Sequence, residues 1–170
     1  MTRIVCETGA VIQVDGELRG ARLEGVDLHR AVLERACLLD TIFDRCEARS
    51  ATFALAAATR VQFIECSLVL ARFAAADLSE ARFEGGDASH ADFTGATLVR
   101  AKLAGLRLDG ASFRGSNLDG ADFSGARIEA ASLEGAIYTP LTNWPIGFDP
   151  VSSGAVLVGD LTDQFRFLDS

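Results

Sequence analysis

Residues 111–135 divide into five-residue blocks: ASFRG, SNLDG, ADFSG, ARIEA and ASLEG. Each block opens on a small or polar residue, places an apolar residue at its centre and, in most blocks, ends on glycine. Five is the period of neither an α-helix nor a β-strand. Stepping by five from Phe113 in both directions, the register runs from Leu18 to Tyr138 without a break. The centres are Leu or Phe almost throughout, with Ala at 48, 58 and 88, Ile128 and Tyr138 as the exceptions. The residue two before each centre is usually Ala, and the remaining positions are mostly polar. Small-inward, polar, large-inward is a very short strand, and a turn follows at once. No such block can bury its centre alone, so the blocks must wind into a solenoid.

The phenylalanines set the number of blocks per coil. Among the centres they stand at 43, 53, 63, 73, 83, 93, 113 and 123, always ten residues or a multiple of ten apart. Like residues stack in columns only if a coil holds an even number of blocks. Two sides leave no room for a ring, so four are expected. Phe43, Phe63, Phe83 and Phe123 then form one core column, with Phe53, Phe73, Phe93 and Phe113 opposite. The other two sides take the smaller centres, which fills a square core.

These blocks resemble the pentapeptide repeat family, whose consensus is A(D/N)LXX; ADFSG, ADLSE, ADFTG and SNLDG carry the likeness. The resemblance covers residues 16–140 and implies an all-β, right-handed, four-sided parallel β-helix of about six coils. The following stretch, AIYTPLTNWPIGFDP, resembles an ending of many members. Trp144 and Phe148 are read as a lid over the last coil. Residues 1–15 are expected to form an N-terminal cap strand, and 141–170 a C-terminal cap and tail with a dimer contact as one role. Family members that dimerise often do so through the C-terminal end. The resemblance also implies a second reading of function. The best understood members mimic duplex DNA and bind DNA gyrase and other type II topoisomerases, protecting them from quinolones or similar poisons.

Charge and composition narrow the rest. The net charge is −8 and no basic stripe is present, which argues against direct nucleic-acid binding. No 18-residue apolar run marks a membrane span, and the N-terminus lacks the pattern of a signal peptide, so the expected location is the cytoplasm. None of Cys6, Cys37, Cys46 and Cys66 is spaced as CxxC, so no metal site is expected. Cys46 and Cys66, twenty residues apart, should stack between coils as reduced thiols. His29 and His90 are too far apart along the axis to share a metal. A convex prism offers no cleft for paired carboxylates, and the glycines are corners rather than a phosphate loop. No enzyme and no cofactor are expected.

Function is therefore expected on the outer faces, through a protein partner. Two candidate contacts stand out. One is an apolar patch of Leu39, Leu55, Ile64, Val69 and Leu70, which would serve a partner or a second copy. The other is the acidic band at 76–95, with Asp77, Glu80, Glu84, Asp87 and Asp92, followed by a basic band at 96–115.

Overall fold

A computed structural model describes residues 2–14 and 16–159. Every apolar centre from Leu18 to Tyr138 is buried, in one continuous core. The backbone winds as a right-handed quadrilateral β-helix with no helical segment among the described residues. Residues twenty apart lie on neighbouring coils. The pairing is Leu23↔Phe43, Phe43↔Phe63 and Phe63↔Phe83 in the parallel strands β3 (Arg22–Glu24), β5 (Ile42–Asp44), β6 (Gln62–Ile64) and β7 (Arg82–Glu84). Two longer strands, β1 (Thr2–Cys6) and β2 (Val11–Val14), precede them, and the two-residue β4 (Ala31–Val32) lies between β3 and β5 in the chain.

Two hydrogen-bond patterns build each coil. The centre N–H donates to the carbonyl nineteen residues on, as from Phe53 to Arg72 at 2.7 Å, and the preceding N–H donates back to the coil below, as from Thr52 to Ala31 at 2.9 Å. The corner closes when the next block's small residue donates to the centre carbonyl, as from Ala56 to Phe53 at 3.1 Å. We number the faces by this coil: first (41–45), second (46–50), third (51–55) and fourth (56–60), each repeating every twenty residues.

The phenylalanine columns form as the ten-residue spacing predicts. Phe53, Phe73, Phe93 and Phe113 stack with ring centroids 4.8–5.0 Å apart and planes within 6°. Phe43, Phe63 and Phe83 stack on the opposite face at 5.0 and 5.2 Å. The columns meet edge to face, as between Phe113 and Phe123 at 5.5 Å and 87°. Offset stacking along a column and T-shaped contact across it are the two favoured geometries of aromatic pairs.

Both ends differ from the expectation. The N-terminal cap is a hairpin, not one strand: β1 pairs antiparallel with β2 on one side and with β4 on the other. The turn at 7–10 lets the chain double back, so both partners of β1 are local or one coil away. At the other end the ladder does not stop at 140. Asn143 bridges Asp122 and Val156 bridges Ile137, the latter pairing β8 (Ile137–Tyr138) with β9 (Val156–Leu157) in parallel. The spacing becomes 21 and then 19 residues instead of twenty, so the five-residue pattern vanishes from the sequence while the coil continues. Trp144 takes the column position above Phe123, stacked at 4.9 Å and 5°, and Phe148 lies tilted against it at 5.4 Å. Of the expected tail, residues 160–170 lie outside the described residues.

Candidate interaction surface

The apolar residues singled out from the sequence do not form one patch. Consecutive residues travel around the prism, so a twenty-residue window is a girdle rather than a face. Ile64 falls on the first face, Val69 and Leu70 on the second, Leu55 on the third and Leu39 on the fourth. Leu39, Ile64 and Val69 are also half-buried, leaving Leu55 and Leu70 exposed at separate corners.

The acidic band is a girdle for the same reason. Glu84 lies on the first face, Asp87 on the second, Asp92 on the third, and Asp77 with Glu80 on the fourth. Three of these aspartates have local tasks. Asp77, Asp87 and Asp92 each accept the backbone N–H two residues on, from Ser79, Ser89 and Thr94, at 2.9–3.0 Å. This bond holds the bend toward the corner and accounts for an acidic or amide residue before the centre. Burial works to raise the carboxyl of Asp77, but bonds from Ser79 and Thr59 outweigh it and hold it below the ordinary range. Asp87 is held low in the same way by Ser89 and Arg107. Glu80 and Glu84 have no cationic partner among the described residues.

Ion pairs across coils interleave the signs elsewhere. Arg60 binds Asp40 through two bonds at 2.7 and 2.9 Å, Arg107 reaches Asp87 at 2.9 Å, and Arg114 reaches Glu134 at 2.8 Å. Sequence reading missed Asp44. It sits at a nominally outward position yet is buried, because Arg22 and Arg45 fold over it from the coil below and the corner beside it. A basic residue twenty-two before and another immediately after was its only signal.

The thiols are structural in their contacts. Cys46 donates to the Leu23 carbonyl at 3.4 Å and Cys66 to the Phe43 carbonyl at 3.3 Å, both in the coil below. The neighbouring Cys46 thiol, and then burial, push the Cys66 thiol up. His90 lies over Gly110: a Cβ there would stand 2.5 Å from its ring. Among the described residues no three His, Cys, Asp or Glu side chains are grouped to hold a metal ion. No helix among them is long and apolar enough to cross a membrane.

The exposed apolar side chains concentrate at the C-terminal end. Ile146 is fully exposed, Leu141 is 71% exposed, and Val151, Val156, Leu157 and Ile137 follow. They ring the last coil, and beside Ile146 the second face ends open. Above Ile128 the chain bends away through Pro145, Ile146 and Gly147, leaving a cavity of about 340 Å³ floored by Ala126, Ile128 and Ala131. Among the described residues the Ile128 N–H has no partner in the coil above, whereas Leu133 donates to Ser153 at 3.2 Å.

With the coil, corners and columns in view, family models match this geometry's source. The model for the pentapeptide repeat region matches residues 37–113 and 56–137, and that for pentapeptide repeats (8 copies) matches 17–47. The chain belongs to the pentapeptide repeat family. Among solved pentapeptide repeat structures, it is similar to HetL, described as involved in heterocyst differentiation regulation in the cyanobacterium Nostoc sp. strain PCC 7120. The identity is 21%, over 82% of each chain, with a TM-score of 0.53. It is also similar to a trypsin-treated form of QnrB1, a plasmid-mediated fluoroquinolone resistance protein. There the identity is 24%, over 90% of this chain and 80% of that one, with a TM-score of 0.55. These likenesses show the shared pentapeptide repeat fold. No curated protein matches the chain at significant similarity.

Proposed function

We propose that this pentapeptide repeat protein works without catalysis, by protein–protein contact through its outer surface, with the C-terminal coil as the main contact and a second copy as its occupant. The observation that carries this reading is the ring of exposed Leu141, Ile146, Val151, Val156 and Leu157 around the last coil, of which Ile146 lines the open edge above Ile128. Exposed apolar side chains ringing a solenoid end that keeps an unpaired edge are what an end-to-end association surface supplies. Ile146→Asp with Leu141→Asp should convert a dimer to a monomer in sedimentation velocity, with an unchanged circular dichroism spectrum. If the wild type sediments as a monomer across the micromolar range, or the variant matches it, the reading fails.

A second reading, binding to DNA gyrase as a duplex mimic with protection from quinolones, draws support from the net charge of −8 and from what QnrB1 is described as doing. The interleaved pairs Asp40–Arg60, Asp87–Arg107 and Glu134–Arg114 weigh against it, because a DNA mimic needs continuous negative rows. Supercoiling by gyrase with and without a fluoroquinolone separates the two. Protection by micromolar protein would favour mimicry, and none would leave the first reading.

A further inference from the structure

Where the fourth face turns into the first, two columns of side chains run side by side along the prism. Asp40, Arg60, Glu80 and Arg100 occupy the corner, and Gln62, Arg82 and Lys102 stand beside them. Together they line a groove of about 370 Å³. Asp40 and Arg60 neutralise each other at one end. The other cations are unmatched: among the described residues no carboxylate lies within 4.0 Å of Arg82, Arg100 or Lys102.

The register makes this arrangement costly. Arg82 and Lys102 are bridge partners on neighbouring coils, directly opposite each other. Like charges so placed destabilise a sheet. The chain has a remedy for this elsewhere. Arg107 and Arg127 are also bridge partners, but Arg107 binds Asp87 at 2.9 Å and Arg127 binds Asp109 at 3.3 Å. No such carboxylate serves Arg82 and Lys102. Asp122, the bridge partner of Lys102 on the next coil, accepts the Ser124 N–H at 3.0 Å and stays outside ion-pair distance of the ammonium, so it offsets the Arg82 repulsion only in part. Beyond the Asp40–Arg60 pair, three exposed cations and a single carboxylate, Glu80, thus share one groove in a protein whose net charge is −8.

We propose that this groove binds a tetrahedral oxyanion, a phosphoryl group in its dianionic form. Two guanidinium forks and an ammonium match three or four oxygens around one centre, and a dianion offsets the repulsion between Arg82 and Lys102. A carboxylate offers two oxygens and a single charge, which leaves one cation unmatched. A nucleic-acid backbone is disfavoured because Glu80 and Asp40 interrupt the groove, and because the protein as a whole carries a net charge of −8. The phosphoryl group can arrive as free phosphate or on a phosphorylated side chain of a protein partner. The site does not depend on the C-terminal contact.

The test titrates the full chain with inorganic phosphate, against sodium chloride of equal ionic strength, while backbone and side-chain NMR signals are followed. Saturable shifts at Arg82, Arg100 and Lys102 are expected at millimolar phosphate, and they should weaken as salt rises. Lys102→Glu should lower the affinity by about tenfold or more, since it removes a charge-assisted bond and adds a repulsive charge. The same substitution sets an opposite charge against Arg82 and a like charge against Asp122, the two bridge partners of residue 102, so the free protein should melt close to the wild-type temperature. Loss of binding in that variant is therefore not loss of fold. Lys102→Arg should retain binding. A phosphoserine peptide and its unphosphorylated form distinguish the sources. Tighter binding of the phosphopeptide than of phosphate assigns a partner-borne group, and equal binding assigns the free ion. Shifts that chloride reproduces, or an unchanged affinity in Lys102→Glu, overturn the proposal.

Discussion

At the scale of single residues, the corners carry the conformational demand of the fold. Every block from 16–20 to 131–135 ends on a residue with φ near +60°, glycine in many blocks but also Arg35, Leu55, Leu70, Ala75 and Ala130. Each non-glycine corner costs about 1–2 kcal/mol relative to a right-handed conformation, so the columns must offset that repeatedly. Gly86 differs, because it occupies the inward small position and its φ of +81° brings it against the coil below. A Cβ there would stand 2.3 Å from the Cys66 carbonyl oxygen. Gly86→Ala should therefore destabilise the protein by about 2–4 kcal/mol, read from the urea midpoint. An unchanged midpoint would mean that the backbone yields at that corner without cost. Protonation is felt at the same scale. Asp77 and Asp87 have lowered carboxyl pKa values in the fold. Their stabilisation is present above the unfolded aspartate value of about 3.9 and is lost as pH falls through the lower folded values. The melting temperature should drop below about pH 4, and Asp77→Asn should flatten that drop by keeping the acceptor without the charge.

At the scale of the element, a face is a ladder of two- or three-residue rungs, and its stability lies in stacking between rungs. Phe73 touches Phe53 and Phe93 along its column and Phe63 and Phe83 across the core, all within 6.1 Å. Phe73→Ala should cost about 3–5 kcal/mol, because a rigid square core cannot collapse around the void. Denaturant unfolding measures it, and a loss below about 1 kcal/mol would show that the coils relax. The first face shows a second property of ladders. Register fixes which charges lie opposite, so Arg82 below Lys102 is a choice the side chains cannot escape by moving along the strand. That is why an unmatched pair there points to a ligand more firmly than three cations on a loop would.

At the scale of the whole molecule, coils contact only their neighbours, so each end needs its own solution. The N-terminal end is closed by the β1–β2 hairpin. The C-terminal end is closed on the first face by Trp144, on the third by Ser153 and on the fourth by β9, and is open on the second. If a second copy occupies that opening, the melting temperature should rise with protein concentration, and Ile146→Asp should remove the dependence.

How much of this was legible in advance follows from what a period can encode. The unbroken five-residue register determined the coil, the four sides and the facing phenylalanine columns, because each is a statement about which residues recur. It determined the corners too, since a recurring glycine marks a recurring left-handed turn. The surface was beyond its reach. A twenty-residue window reads as a patch or a band on the page, but the chain distributes it around four faces, so Leu39, Leu55, Ile64, Val69 and Leu70 separate. Groupings that matter run along the axis, between residues twenty apart. Only the tertiary structure decided that Asp44 is covered by Arg22 and Arg45, that Arg82 and Lys102 go unmatched, and that the coil persists past 140 at spacings of 21 and 19. Periodicity fixes the backbone because repeated short-range preferences add in register. The contacts of the outward side chains are set individually by reach, charge and solvent, and nothing repeats them.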